Sequence, residues 1–102
     1  MYKLEYLPIA RKDMTDIARY ITRELANPQA AEKLSVELIE AADSISAFPY
    51  ANPAYSAMKP LMHEHRKLLV QNHLLFYRVD EKTKTVTVTR VIYARRDHEK
   101  LL

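Results

Sequence analysis

Ten of the sixteen lysines and arginines of this 102-residue chain fall after Tyr50, and several stand where a β-strand or its end would hold them: Arg66, Arg90 and the adjacent pair Arg95-Arg96. Guanidinium groups offer flat, permanently charged donors that match carboxylates and phosphates. With Tyr77 and Tyr93 between them, and Lys59 ahead of them, they outline a cationic face able to hold phosphates and stack bases, a target-binding set of Lys59, Arg66, Tyr77, Arg90, Tyr93, Arg95 and Arg96. Arg90 has a second reading. It shares its side of a strand with Val86 and Val88, so its stem can be buried and its charge paired with an acid such as Asp97 or a helix carboxylate. Neighbours in a strand point to opposite faces, so only one of Arg95 and Arg96 reaches any given ligand. Lys82 and Lys84 belong to a turn, where charge serves solvation.

Acid–base chemistry has fewer candidates. His63 and His65 share one side of an extended segment and His73 opens the next, so three imidazoles have the types to meet at a metal or to supply a general base. No fourth ligand is in place, because Glu64 faces the other way, and the expectation is no metal site. The serines Ser35, Ser44, Ser46 and Ser56 lack the spacing of a nucleophile elbow. Asp13 and Asp16 read as charges in the early turns and on the wet side of a helix, not as a catalytic pair.

Composition removes whole classes of function. The chain has no glycine and no cysteine, which excludes the glycine-built phosphate loops, disulfides and thiolate sites, and leaves no cofactor to expect. The opening MYKLEYLPIARKD lacks the apolar core of a signal peptide, and no apolar run reaches the ~18–20 residues of a membrane span. A cytoplasmic protein of one domain, residues 1–102, with a single modest core is expected. Its charge is uneven. Six Lys/Arg meet eight Asp/Glu through Tyr50, a balance of −2, and ten meet five from Ala51 onward, a balance of +5; an anionic partner for one face follows.

The elements that must carry these residues are legible in the periodicity. Tyr2 to Leu7 reads as a short strand ending at Pro8. From Ile9, Met14, Ile17, Ala18, Ile21 and Leu25 mark a helix of about 16 residues. Asn27-Pro28 breaks it and caps a second helix, whose stripe is Ala31, Leu34, Leu38, Ala41, Ile45 and Phe48 and which runs to about Ala47. So short a break makes the two helices antiparallel. After the proline-bounded loop PYANPAYSAMKP come three strands near His65–Val70, His73–Val79 and Thr85–Ile92, a meander whose first turn places a positive φ on Asn72. LLFYRV is apolar on both alternations and reads as a central strand; VTVT alternates and reads as having one wet face. The fold class is α+β: an N-terminal strand, an antiparallel helical hairpin, then a three-stranded antiparallel meander, both helices on one sheet face.

That order and the phrases YLPIARKDMTDIARYI, NPQAAEKL, FPYANP, LLFYRVDE and RVIYARRD resemble the RelE/ParE superfamily of toxins from bacterial type II toxin–antitoxin pairs, over nearly the whole chain. The resemblance implies a cytoplasmic growth inhibitor of a plasmid-stabilising or addiction module, held in check by a cognate antitoxin in a hetero-oligomer. It leaves two targets, DNA gyrase or messenger RNA cut on the ribosome. In the RNA-cutting branch an arginine precedes the apolar-aromatic phrase of the central strand, with lysines before it; here Leu74 or its neighbour takes the arginine's place and Leu68 stands where a lysine is expected. The retained Arg66, Arg90, Tyr93 and Arg95-Arg96-Asp97 are more similar to the ParE side, so gyrase is the favoured target. Were the chain a ribonuclease, its catalytic candidates would be His65, Arg66, Tyr93 and Arg95.

Overall fold

In the computed structural model, which describes residues 2–54, 64–95 and 102, the chain runs β1 (Lys3–Tyr6), α1 (Pro8–Arg23), α2 (Pro28–Ala47), β2 (Arg66–Val70), β3 (His73–Asp80) and β4 (Thr85–Tyr93). Pro8 starts α1 at a position where its missing N–H costs nothing. Asn27 caps α2, its Oδ1 accepting the Ala30 N–H at 3.1 Å. Between the helices Ala26 takes φ 50° without a glycine, and the break is short enough to fold the helices against each other.

Helices and sheet meet through one apolar layer. Ala10, Leu34, Leu38, Ala42 and Ile45 pack on Leu75, Tyr77, Val86, Val88 and Val91, with Met14, Ile17 and Ile21 closing the α1 side. Two expected members of the stripes lie elsewhere. Leu25 is 57% exposed because α1 has ended at Arg23, and Phe48 is 72% exposed because it is the C-cap of α2, where the backbone leaves helical geometry. The sheet order is β1-β4-β3-β2. β2, β3 and β4 form the antiparallel meander, while β1 joins β4 in parallel, so the sheet is mixed.

β3 is central, as its two-sided apolar pattern requires. The expectation of a wet face on β4 fails: Thr85, Thr87 and Thr89 are all buried. Their cross-strand neighbours explain it, since Lys3 and Glu5 of β1 and Arg78 and Asp80 of β3 stand opposite Thr85 and Thr87, and long charged side chains shield the short threonines beside them. Further along the same face Leu74, Phe76 and Ile92 form a second apolar cluster on which Ala94 and Leu102 pack. The positive φ of the β2–β3 turn falls on Gln71 (55°), not on Asn72. A two-residue turn needs it at its first position, and Gln71 is anchored there by donating its side-chain amide to the Glu37 carboxylate of α2.

Candidate functional site

The β3–β4 ladder shifts register between Phe76 and Tyr77, where β4 carries one extra residue, Thr89. Its hydroxyl donates to the Phe76 carbonyl at 3.2 Å. This bulge lies where β4 loses its β1 neighbour, because β1 stops at Tyr6 and Leu7 gives the last hydrogen bond, to the Val88 carbonyl at 2.9 Å. Asp13, in the second turn of α1, fills the gap. Its carboxylate accepts Arg90 Nε at 2.7 Å and Nη2 at 2.9 Å, together with the Val91 backbone N–H at 3.0 Å. Both side chains are largely buried, 15% and 13% exposed. The fork-on-fork geometry favours the charged guanidinium, and the Arg90 pKa rises further because of its hydrogen bonds to Asp13. Of the two readings of Arg90, the structure has the one in which a helix carboxylate pairs it, and Asp13 is thereby more than a charge on the wet side of a helix.

Arg66 lies on the edge strand β2, across β3 from Arg90 and within one residue of its level. Its Nη1 donates to the Asn52 carbonyl at 2.7 Å, its Nη2 meets Glu64 at 3.1 Å, and the guanidinium lies 4.8 Å from the ring centroid of Tyr50. Tyr77, opposite it in register, is fully buried and donates its hydroxyl to the Pro49 carbonyl at 2.6 Å. That corrects the expectation of Tyr77 as a stacking platform: with its ring in the core and its hydroxyl holding the loop after α2, it offers no open face. His65, immediately before β2, is likewise buried at 6% exposure.

The third group lies at the far end of β3. His73 pairs with Tyr93 across the ladder, their rings 5.7 Å apart and edge to face. The His73 Nδ1 is buried without a hydrogen-bond partner, and burial pushes the imidazole below its ordinary value of 6.5. Tyr93 is 37% exposed, and Arg95, two residues on, is exposed. From the level of Tyr77 to that of His73 is four residues of strand, about 13 Å. The expected single patch is therefore divided: Arg66 and His65 at one end, Tyr93 and Arg95 at the other, Arg90 paired between them. His65 and His73 lie beyond opposite ends of β2 and do not converge. Lys59, His63, Arg96 and Asp97 lie outside the described residues.

One cluster near Arg66 escaped sequence reading. Glu81, in the β3–β4 turn, accepts the hydroxyls of Tyr2 and Tyr50 at 2.6 Å each and the Lys84 ammonium at 2.7 Å. Lys84 and the two hydroxyls lower the Glu81 carboxyl to about 2, and donation to that carboxylate pushes the Tyr50 phenol up to about 12. No local spacing announces three partners 79, 31 and 3 residues away in sequence. Asp13 had left a signal, since it shares the three-and-four spacing of Ala10, Met14 and Ile17. An acid beside the apolar stripe of a helix asks for a cation.

A helical hairpin on a four-stranded mixed sheet is the fold of the RelE/ParE toxins, and the comparisons agree. The family model for the ParE toxin of the type II toxin–antitoxin system parDE matches residues 4–98, and the chain belongs to that family. It is thus a type II toxin–antitoxin toxin. Among solved structures it is similar to the chromosomal ParDE system of P. aeruginosa (TM-score 0.74, 18% identity, 93% of this chain and 98% of that one). It is also similar to the toxin–antitoxin complex RelBE2 of Mycobacterium tuberculosis (0.65, 18%, 90% and 96%) and to the intact RelBE complex of E. coli (0.57, 21%, 94% and 100%). At such identities the likeness is one of fold. A comparison with curated proteins gave no match. Among the described residues no helix is long and apolar enough to cross a membrane.

Proposed function

We propose that this toxin arrests growth by binding DNA gyrase and not by cutting messenger RNA. One observation carries the reading: the arginine that the RNA-cutting branch keeps has its place at Leu74 or its neighbour, and Leu74 is 7% exposed and packed with Phe76 and Ile92 in an apolar cluster, with His73 and Leu75 beside it also buried. A nuclease must neutralise the charge that develops on the scissile phosphate, and each such donor is worth about 2.7–4 kcal/mol of barrier. At Leu68, where a lysine is expected, the side chain packs on the main core. Arg90 is held by Asp13, and His65 is buried at the end of the sheet remote from Tyr93. A binder needs none of these groups to converge.

The alternative, ribosome-dependent cleavage of message, draws on one grouping, the half-exposed Tyr93 against the unpartnered ring nitrogen of His73 with Arg95 nearby. In either reading the toxin works in the cytoplasm and is neutralised by a cognate antitoxin, as the toxin–antitoxin complexes among its structural neighbours suggest. Inducing the gene in growing cells separates the two. Plasmid superhelicity should fall before amino-acid incorporation does; cut transcripts with superhelicity intact would overturn the gyrase reading.

A further inference from the structure

The start of β1, the end of α2 and the β3–β4 turn meet at one corner of the molecule, and aromatic rings crowd it. Phe48, the C-cap of α2, is 72% exposed and Tyr50 is 51% exposed. Tyr2 joins them from β1, its N–H donated to the Ser46 carbonyl at 3.2 Å. A lone apolar side chain on a surface is ordinary; what sets this corner apart is how firmly its backbone is held. The Phe48 N–H returns to the Ser44 carbonyl at 3.0 Å, and the Ala51 N–H closes the turn on the Phe48 carbonyl at 3.2 Å. Tyr77 donates to the Pro49 carbonyl, and Glu81 accepts the hydroxyls of both Tyr50 and Tyr2. A ring displayed on so pinned a turn has little further freedom to lose on binding.

The charges that touch the rings cancel. Lys84 lies 5.3 Å from the Tyr2 ring centroid and Arg66 4.8 Å from that of Tyr50, yet the first is paired with Glu81 at 2.7 Å and the second with Glu64 at 3.1 Å. What the corner offers is therefore apolar area in a neutral frame, which suits a protein surface better than a chain of phosphates. Size narrows the choice. Two rings exposed to this degree present roughly 250 Å², against about 800 Å² that each partner buries in a stable complex. Two copies meeting corner to corner would bury too little. A projecting ring also needs a recess, which a folded surface has and an extended segment lacks.

We propose that Phe48, braced by Tyr50, is the anchor with which the toxin seats itself in an apolar recess of the folded protein it poisons. Exposed aromatics beside an arginine are the residue types that carry binding energy at the centre of interfaces, and the two ion pairs supply a polar rim. That the recess belongs to gyrase rests on the gyrase reading; that Phe48 is the anchor does not.

The test compares the full-length toxin with Phe48→Ala and Phe48→Leu, both altered outside the core, so the melting temperature should hold. Phe48→Ala should need about tenfold more toxin or greater to inhibit gyrase supercoiling, and should arrest growth correspondingly less at equal toxin level. Phe48→Leu, which keeps apolar bulk, should recover part of both. Wild-type toxin that arrests growth with supercoiling intact would sink the gyrase reading, while a loss of arrest in Phe48→Ala would still uphold the anchor. Undiminished arrest by Phe48→Ala, equal losses in the alanine and leucine variants, loss of cognate-antitoxin binding with arrest intact, or a wild-type dimer in sedimentation that Phe48→Ala dissociates would each overturn the proposal.

Discussion

Arg90 and Asp13 are the residues whose partnership most changes the functional account, because a guanidinium held by two short hydrogen bonds to a carboxylate is not available to a target. Removing one partner of so buried a pair leaves the other charged and unpaired, at a cost of roughly 3–5 kcal/mol. Asp13→Ala, which also strips the Val91 N–H of its acceptor, should lower the unfolding free energy by about that amount, read as a lower urea midpoint at unchanged slope; an unchanged midpoint would show the pair to be idle. Arg95 is the opposite case, exposed and without a partner among the described residues. Reversing the charge of Arg95 and Arg96 together should weaken growth arrest and leave the circular dichroism spectrum and melting temperature unchanged, and undiminished arrest by that soluble variant would remove both from the mechanism. His73 predicts a pH dependence. Its pKa is lower in the fold than in the unfolded chain, so its contribution is fully present above about 6.5 and is lost as pH falls through the folded value. Between pH 7 and 5.5, above the range in which Glu81 titrates, the melting temperature should fall less in His73→Phe than in the parent. Equal slopes would contradict the assignment.

At the scale of elements, the loop after α2 is held to the sheet by polar contacts at its start, Tyr77 to Pro49 and Arg66 to Asn52. Tyr77→Phe removes a hydroxyl and strands a carbonyl, a loss of about 1 kcal/mol, and should speed amide exchange at residues 50–54 more than in α1; uniform exchange would contradict this. The elements themselves were legible in the sequence to within a residue or two. Three-and-four spacing marks α1 and α2, Asn27-Pro28 marks their junction, and the doubly apolar LLFYRV marks a central strand. Illegible were features that depend on which strand neighbours which. The parallel seating of β1 on β4 shields Thr85 and Thr87 with Lys3 and Glu5. The Thr89 bulge falls where β1 gives out, and there Arg90 meets Asp13. Neither has a local pattern to announce it. The grouping of the site suffered most, because residues that alternate well along two strands still end up at opposite ends of a sheet once the antiparallel register is fixed.

Taken whole, the molecule spreads its basic second half over separated positions: Arg66, Arg78 and Lys82 around one cleft by the β3–β4 turn, and Arg95 past the end of β4. Distributed cations suit a protein that binds a large partner over a broad surface, steered by charge. They suit poorly a phosphodiester cleavage that needs several donors within hydrogen-bond reach of one phosphate. Gyrase-catalysed supercoiling of relaxed plasmid, measured against increasing purified toxin, bears on this most directly. Inhibition that saturates with toxin, while message on translating ribosomes stays whole under the same conditions, is the predicted result. Full supercoiling at every toxin concentration, with message cut at defined codons, would contradict it.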